Sequence, residues 1–210
     1  MGRHAAPRGV AIPDVRERLF DAAERVLARE GASALTSRAV TTEAGCAKGL
    51  LHAHFDGLDE LVAELVLDRF ARTVRRAEEL VARAGQSTVA DNLVTVALAL
   101  LHSLSPTVVG LAMTRPGASL RIRQALAAGA PSFTAIQDSI TGCLEAEQRL
   151  GRFAEGADTS SIALAIVGTV HHLLMTTWAD APAPREQVGR LIVLLVGAGI
   201  DGAASARDRA

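Results

Sequence analysis

Residues 34–55 read ALTSRAVTTEAGCAKGLLHAHF, and this stretch decides the fold. Thr36 is placed to cap a short helix, with Val40 and Ala44 four residues apart on its apolar side. Gly45-Cys46-Ala47 then supplies a three-residue turn. A second short helix is predicted from about Lys48 to His54, closed by Phe55 as an apolar anchor before the Asp56-Gly57 break. Two short helices joined through a glycine turn are what a helix-turn-helix requires, because glycine allows a positive φ and close helix approach. The second helix must expose small or polar side chains to enter a major groove about 12 Å wide. Lys48, His52 and His54 meet that need, and Lys48 is the chain's only lysine. Placed at the start of that helix, Lys48 and Gly49 would bring a cation and free backbone N–H groups to phosphate.

Working outward, Asp14 and Glu17 have capping-box spacing behind Pro13, and Val15, Leu19, Ala22, Ala23, Val26 and Leu27 recur at helical intervals until Gly31. On the other side, a long helix is predicted from Asp59 towards Gly85, with Leu61, Leu65, Val66, Phe70, Val74 and Val81 on one face. Beyond Thr88 the chain becomes far less charged. Asn92 to Thr114 and Thr159 to Ala179 hold no Asp, Glu, Lys or Arg. Pro106 and Ser105 interrupt the first run and His171-His172 the second, without flanking basic clusters or aromatic belts. Both therefore read as helices of a protein core or subunit interface, with no membrane span.

With no alternation typical of strands, the expected fold is all-α. It divides into an N-terminal three-helix helix-turn-helix DNA-binding domain at 14–58 and a larger helical ligand-binding and dimerisation domain at 59–200. Residues 59–84 form the connecting helix, and 1–13 and 201–210 read as flexible tails.

The formal net charge of −1 makes no general case for nucleic acid, so the case rests on placement. Residues 1–55 hold seven Arg and one Lys against six Asp and Glu, a slight basic excess. The two cysteines, Cys46 and Cys143, are far apart and outside any zinc spacing. They point to a reducing, cytoplasmic setting, with no signal peptide after Met1, no metal and no cofactor. Cys46 is expected as a small buried turn residue. No nucleophile elbow, Walker loop, HExxH or Glu-x-x-His pair occurs, which argues against an enzyme.

The segments LFDAAERVLAREG (residues 19–31), ALTSRAVTTEAGCAKGLLHAHF (34–55) and DELV (59–62) together resemble the TetR family of transcriptional regulators. The rest is similar in outline only, through the long connecting helix, a GRF segment at Gly151 to Phe153 and two apolar helices at the end. The resemblance implies a dimer in which those last two helices form a four-helix bundle with the partner subunit. It also implies contact of Thr36, Ser37, Arg38, Ala47, Lys48, Gly49, His52 and His54 with double-stranded operator DNA. Three positions depart from the family pattern: His52 replaces an aromatic residue, Ala47 a capping serine and Leu58 a lysine. Each change removes an interaction of roughly 0.5–2 kcal/mol, so operator binding is expected to be weaker or more salt-sensitive than usual.

The polar or bulky residues in the uncharged helices, His102, Phe133, Gln137, His171, Met175 and Trp178, are the candidates for contact with an apolar small-molecule effector. The alternative for each is a satisfied core or interface residue. Adjacent helical histidines diverge by about 100°, so His171 and His172 make a poor metal pair. The expected function is a repressor relieved by that effector. A helical-bundle interaction module or small-molecule enzyme without DNA binding is the alternative.

Overall fold

The computed structural model describes residues 15–103, 105–176 and 184–207, with side chains to residue 197. All regular structure among the described residues is helical. The chain forms two compact units that divide between Leu61 and Val62, inside its fourth helix.

In the first unit, α1 (Val15–Glu30) turns Leu19, Phe20, Ala22, Ala23, Val26 and Leu27 inward, at the spacing of one helical face. Gly31 ends it at φ 80°, with its N–H donating to the Leu27 carbonyl at 3.0 Å. The cap expected at Asp14 lies outside the described residues. A single 3₁₀ turn at Ala32–Ala34 leads to α2 (Ser37–Glu43), whose Thr36 Oγ1 accepts from the Ala39 N–H at 3.0 Å. The third helix, α3, is shorter than the sequence suggested: it covers Leu50–His54.

α4 (Leu58–Val81) crosses from the first unit into the second, where Phe70, Val74, Ala77 and Leu80 are buried. Val81, expected on that face, is 41% exposed, because Leu80 takes the inward position. The second unit continues with α5 (Val89–Leu101), α6 (Pro106–Thr114), α7 (Pro116–Ala127), α8 (Phe133–Arg149), α9 (Thr159–Thr176) and α10 (Pro184–Arg207). Thr88 caps α5, Ser105 caps α6, and prolines open α6 and α7, where a missing N–H costs nothing. α5 packs against α8, α9 and α10, and this group encloses the main core. α10 runs through Arg207, past the point where a tail was expected; Ala203, Ala204 and Ala206 favour helix there.

By length and composition α9 could cross a membrane. Its buried residues Ala163, Ile166, Val167, Val170 and Leu174 instead follow the period of a helix packed in a protein core.

Candidate nucleic-acid interface and ligand cavity

The turn between α2 and α3 is built by backbone geometry. Gly45, at φ 62°, donates to the Thr42 carbonyl at 3.1 Å, and Cys46 donates to the Thr41 carbonyl at 3.0 Å. These paired bonds form a Schellman motif, which satisfies the last carbonyls of α2 and requires a residue comfortable at positive φ. Cys46 is half-buried beyond it, less enclosed than the sequence suggested. Arg18 adds a charged donor, its Nη2 lying 2.7 Å from the Ala44 carbonyl at the same helix end.

Glu43 ties α2 to α1 through ion pairs with Arg25 at 2.7 Å and Arg29 at 3.0 Å. The hydrogen bond from Arg25, followed by that from Arg29, holds its carboxyl below the usual glutamate range.

α3 hangs on two apolar residues. Leu51 is wholly buried and Phe55 nearly so, with the Phe55 ring 5.7 Å from that of Phe20. The Arg16 guanidinium lies 4.6 Å from the Phe55 ring centroid and reaches the His54 carbonyl at 3.5 Å. It therefore steadies the end of α3 by cation–π and polar contact. With that inner side fixed, Ala47, Lys48, Gly49, His52, Ala53 and His54 are all exposed.

Of the remaining candidates, Thr36 and Arg38 are exposed and Ser37 is half-buried at the start of α2. The side chains of Arg38 and Lys48 make no ion pair among the described residues. One expectation changes. Lys48 and Gly49 form a turn before α3, and the Leu50 N–H is spent on the Ala47 carbonyl at 2.9 Å. The free N–H groups expected at this helix start are thus partly used, because the chain enters α3 through a tight turn.

Arg16, Arg18 and Glu43 were not singled out from the sequence. Their partners are carbonyls, a ring and cations up to 38 residues away, and no local spacing signals such pairs.

In the second unit, a cavity of about 160 Å³ is lined from α4, α6, α7, α8 and α9. Phe133 and Met175 lie in its wall, as two of the six sequence candidates. The others do not. His102 is exposed at the end of α5, and Gln137 is half-buried outside the wall. His171 is exposed and packs edge-on against Phe133 with ring centroids 4.9 Å apart. Trp178 lies outside the described residues. His102 and His171 fall away from the cavity because they occupy exposed positions of helices whose inner positions are mostly aliphatic. Among the described residues, no group of three or more His, Cys, Asp or Glu could hold a metal ion.

Residues 19–65, which contain this helix-turn-helix, match the family described as bacterial regulatory proteins, tetR family. The chain carries a tetR-family DNA-binding domain. Among solved structures, the chain is similar to a putative TetR-family transcriptional regulator from Mesorhizobium loti, with 16% identity over 89% of this chain and 95% of that one and a TM-score of 0.65. It is also similar to the transcriptional regulator FadR from Bacillus subtilis in complex with stearoyl-CoA, with 20% identity, 86% and 97% coverage and a TM-score of 0.60. A third is the ketosteroid transcriptional regulator KstR2 of Mycobacterium tuberculosis, with 18% identity, 89% and 95% coverage and a TM-score of 0.52. At these identities the likeness is one of fold. No curated protein matches the chain. Members of the tetR family are regulators that bind operator DNA, dimerise and bind small molecules.

Proposed function

We propose that this DNA-binding transcriptional regulator of the tetR family is a cytoplasmic homodimeric repressor, without enzymatic activity, released from its operator by an apolar small molecule. The observation that carries the reading is the two-sided character of 47–55. Leu51 and Phe55 are buried, while Lys48, His52 and His54 stand in solvent on a segment fixed from behind by Arg16. A solvated helix with no partner needs no such bracing. A helix that must present side chains to base edges in one geometry does.

In this reading, residues 14–58 form the DNA-binding domain and 59–200 the ligand-binding and dimerisation domain, with 59–84 as connecting helix. Lys48, Arg38, Thr36 and Ser37 engage phosphate, and His52 and His54 reach the groove beside Ala47 and Gly49. The partner subunit covers α9 and α10, where Leu164, Val193 and Leu194 are 57%, 61% and 70% exposed. A two-fold symmetric contact is the commonest way to bury such a surface. The effector enters the cavity at Phe133 and Met175. Because α4 contributes Val66 and Phe70 to that wall and its first turn to the other unit, an occupant that displaces α4 changes the spacing of the two recognition helices from the roughly 34 Å of adjacent major grooves.

The test starts from an operator selected out of random DNA. Lys48→Ala is expected to weaken binding to all sequences alike and to lower the salt slope by about one per subunit. Unchanged binding at every salt concentration would remove Lys48 from the interface. Sedimentation equilibrium is expected to show a dimer at micromolar protein, and a stable monomer there would contradict the assignment of α9 and α10.

A further inference from the structure

Resting on the effector reading above, we infer that the cavity takes a single-ring, uncharged aromatic molecule. Three observations set the class. Among the described residues no charged side chain lines the wall, and Ser132 is its one polar side chain. A carboxylate or ammonium entering it would lose water and meet no counter-ion, so charge is selected against. His102 and Gln137 stay outside the wall, which removes two of the polar groups expected to orient a ligand.

The size follows from the volume. About 160 Å³ is close to the roughly 150 Å³ of an apolar engineered cavity that stays dry and binds benzene. One ring with a small substituent fills that space, whereas a long acyl chain would leave most of its length outside the wall, on the side open to solvent.

The preference for a ring comes from the wall itself. Phe70 and Phe133 meet edge to face, with centroids 4.7 Å apart at 67°, and both line the cavity. A guest ring can extend that arrangement, which gains energy beyond the area it buries. Met113 and Met175 add two thioethers, whose sulfurs pack favourably on ring edges and whose unbranched chains adjust to a substituent. A saturated molecule of equal volume gains neither contact. Met113 and Met175 are 66% and 43% exposed as well as lining, so the cavity communicates with solvent.

The experiment uses the full chain with toluene, methylcyclohexane, benzoate, benzylammonium and stearate as probes, read by thermal shift and titration calorimetry. At about 100 times its Kd, toluene is expected to raise the Tm by roughly 5–10 °C. Methylcyclohexane should bind more weakly. Benzoate and benzylammonium should each bind at least about tenfold more weakly than toluene, and stearate should produce no shift. Ala112→Leu, which extends a side chain from a nearly buried wall position, should abolish the toluene shift. Ile122→Phe, from a half-buried wall position, serves the same purpose if the first variant does not fold. No shift with toluene, or equal binding of benzoate or stearate, overturns the inference. Operator release is measured separately: toluene that binds without releasing DNA upholds the ligand class and refutes the effector role. Release by a charged compound that outcompetes toluene refutes the class and leaves the effector reading standing.

Discussion

Replacing Gly49 by alanine separates folding from DNA contact. Glycine at the entrance to a short helix would ordinarily be ascribed to a backbone need, but Gly49 has φ −76° and ψ −13°, which any residue adopts. A Cβ built there meets no heavy atom within 4 Å. The advantage of glycine over alanine at a helix cap belongs to a residue outside the helical region, and Gly49 already has helical φ and ψ. Removing glycine's freedom in the unfolded chain should therefore stabilise the protein by about 0.4–1 kcal/mol, or a rise in Tm of roughly 1–4 °C. The operator should respond in the opposite direction. In the proposed interface, Ala47 and Gly49 flank Lys48 with no more than a methyl group, which would let nucleic acid approach the main chain closely. An added methyl in such a contact costs on the order of 1 kcal/mol per subunit or more, about a fivefold loss of affinity for each. Fluorescence anisotropy on the selected operator, beside thermal melts of the same preparation, reads both quantities. Raised stability with undiminished affinity would show that DNA does not reach this turn, and the placement of the interface would fall with it.

Gly45→Ala should behave differently, since φ 62° costs an alanine on the order of 1 kcal/mol and the Schellman bonds depend on it; thermal melts should show a lower Tm, and an unchanged one would refute that dependence. Glu43 has its folded-state pKa lowered by Arg25 and then Arg29, so its stabilisation is present above the ordinary glutamate value of 4.5 and lost as pH falls through the lowered one. Glu43→Gln should therefore reduce stability at neutral pH and flatten the acid side of the profile, and a variant with the wild-type profile would exclude the clamp. Cys143 is buried, with its thiol pushed up to about 11 chiefly by desolvation and further by Glu147, while Cys46 is half-buried. A thiol reagent should titrate Cys46 in the native protein and both cysteines after denaturation, and fast native modification of Cys143 would contradict its burial.

The helix-turn-helix was legible in the sequence because its signals are local. A cap at Thr36, a glycine at the turn and an anchor at Phe55 each declare themselves within a few residues. The start of α3 was misplaced by two residues because Lys48 and Gly49 look the same in a turn as in a first helical turn, and only the Leu50–Ala47 hydrogen bond distinguishes them. The cavity was harder to read. Apolar composition identified the helices that build it, yet composition does not reveal which face of a mostly aliphatic helix turns inward. Polar residues stand out among aliphatic neighbours and so read as ligand contacts. In the structure His102 and His171 are on the outside for that same chemical reason, since an unpaired polar group is least costly where water reaches it.

The far end of α4 shows why an occupant of the cavity would have a mechanical effect. Beyond Val81 the chain turns through Gly85, whose φ of 84° allows its N–H to donate to Glu147 Oε1 at 3.0 Å. Glu147 is wholly buried, and its other oxygen lies 3.2 Å from Arg152 Nε. That contact is an ion pair with no aligned hydrogen bond, so the carboxylate depends on charge more than on donor geometry. Arg152 also donates to the Ser87 carbonyl, which links the loop after α4 to the turn between α8 and α9. Burying a carboxylate is costly, and such a pair contributes more to fixing one arrangement than to net stability. Its consequence is that the chain is held just beyond the C-terminal end of α4, within the second unit, while Val66 and Phe70, nearer the start of the helix, line the cavity. On the proposed effector reading, an occupant that fills this space would press on α4 at Val66 and Phe70, away from the held end. The start of α4 lies in the first unit, so the proposed effector action would pass along this helix towards the helix-turn-helix.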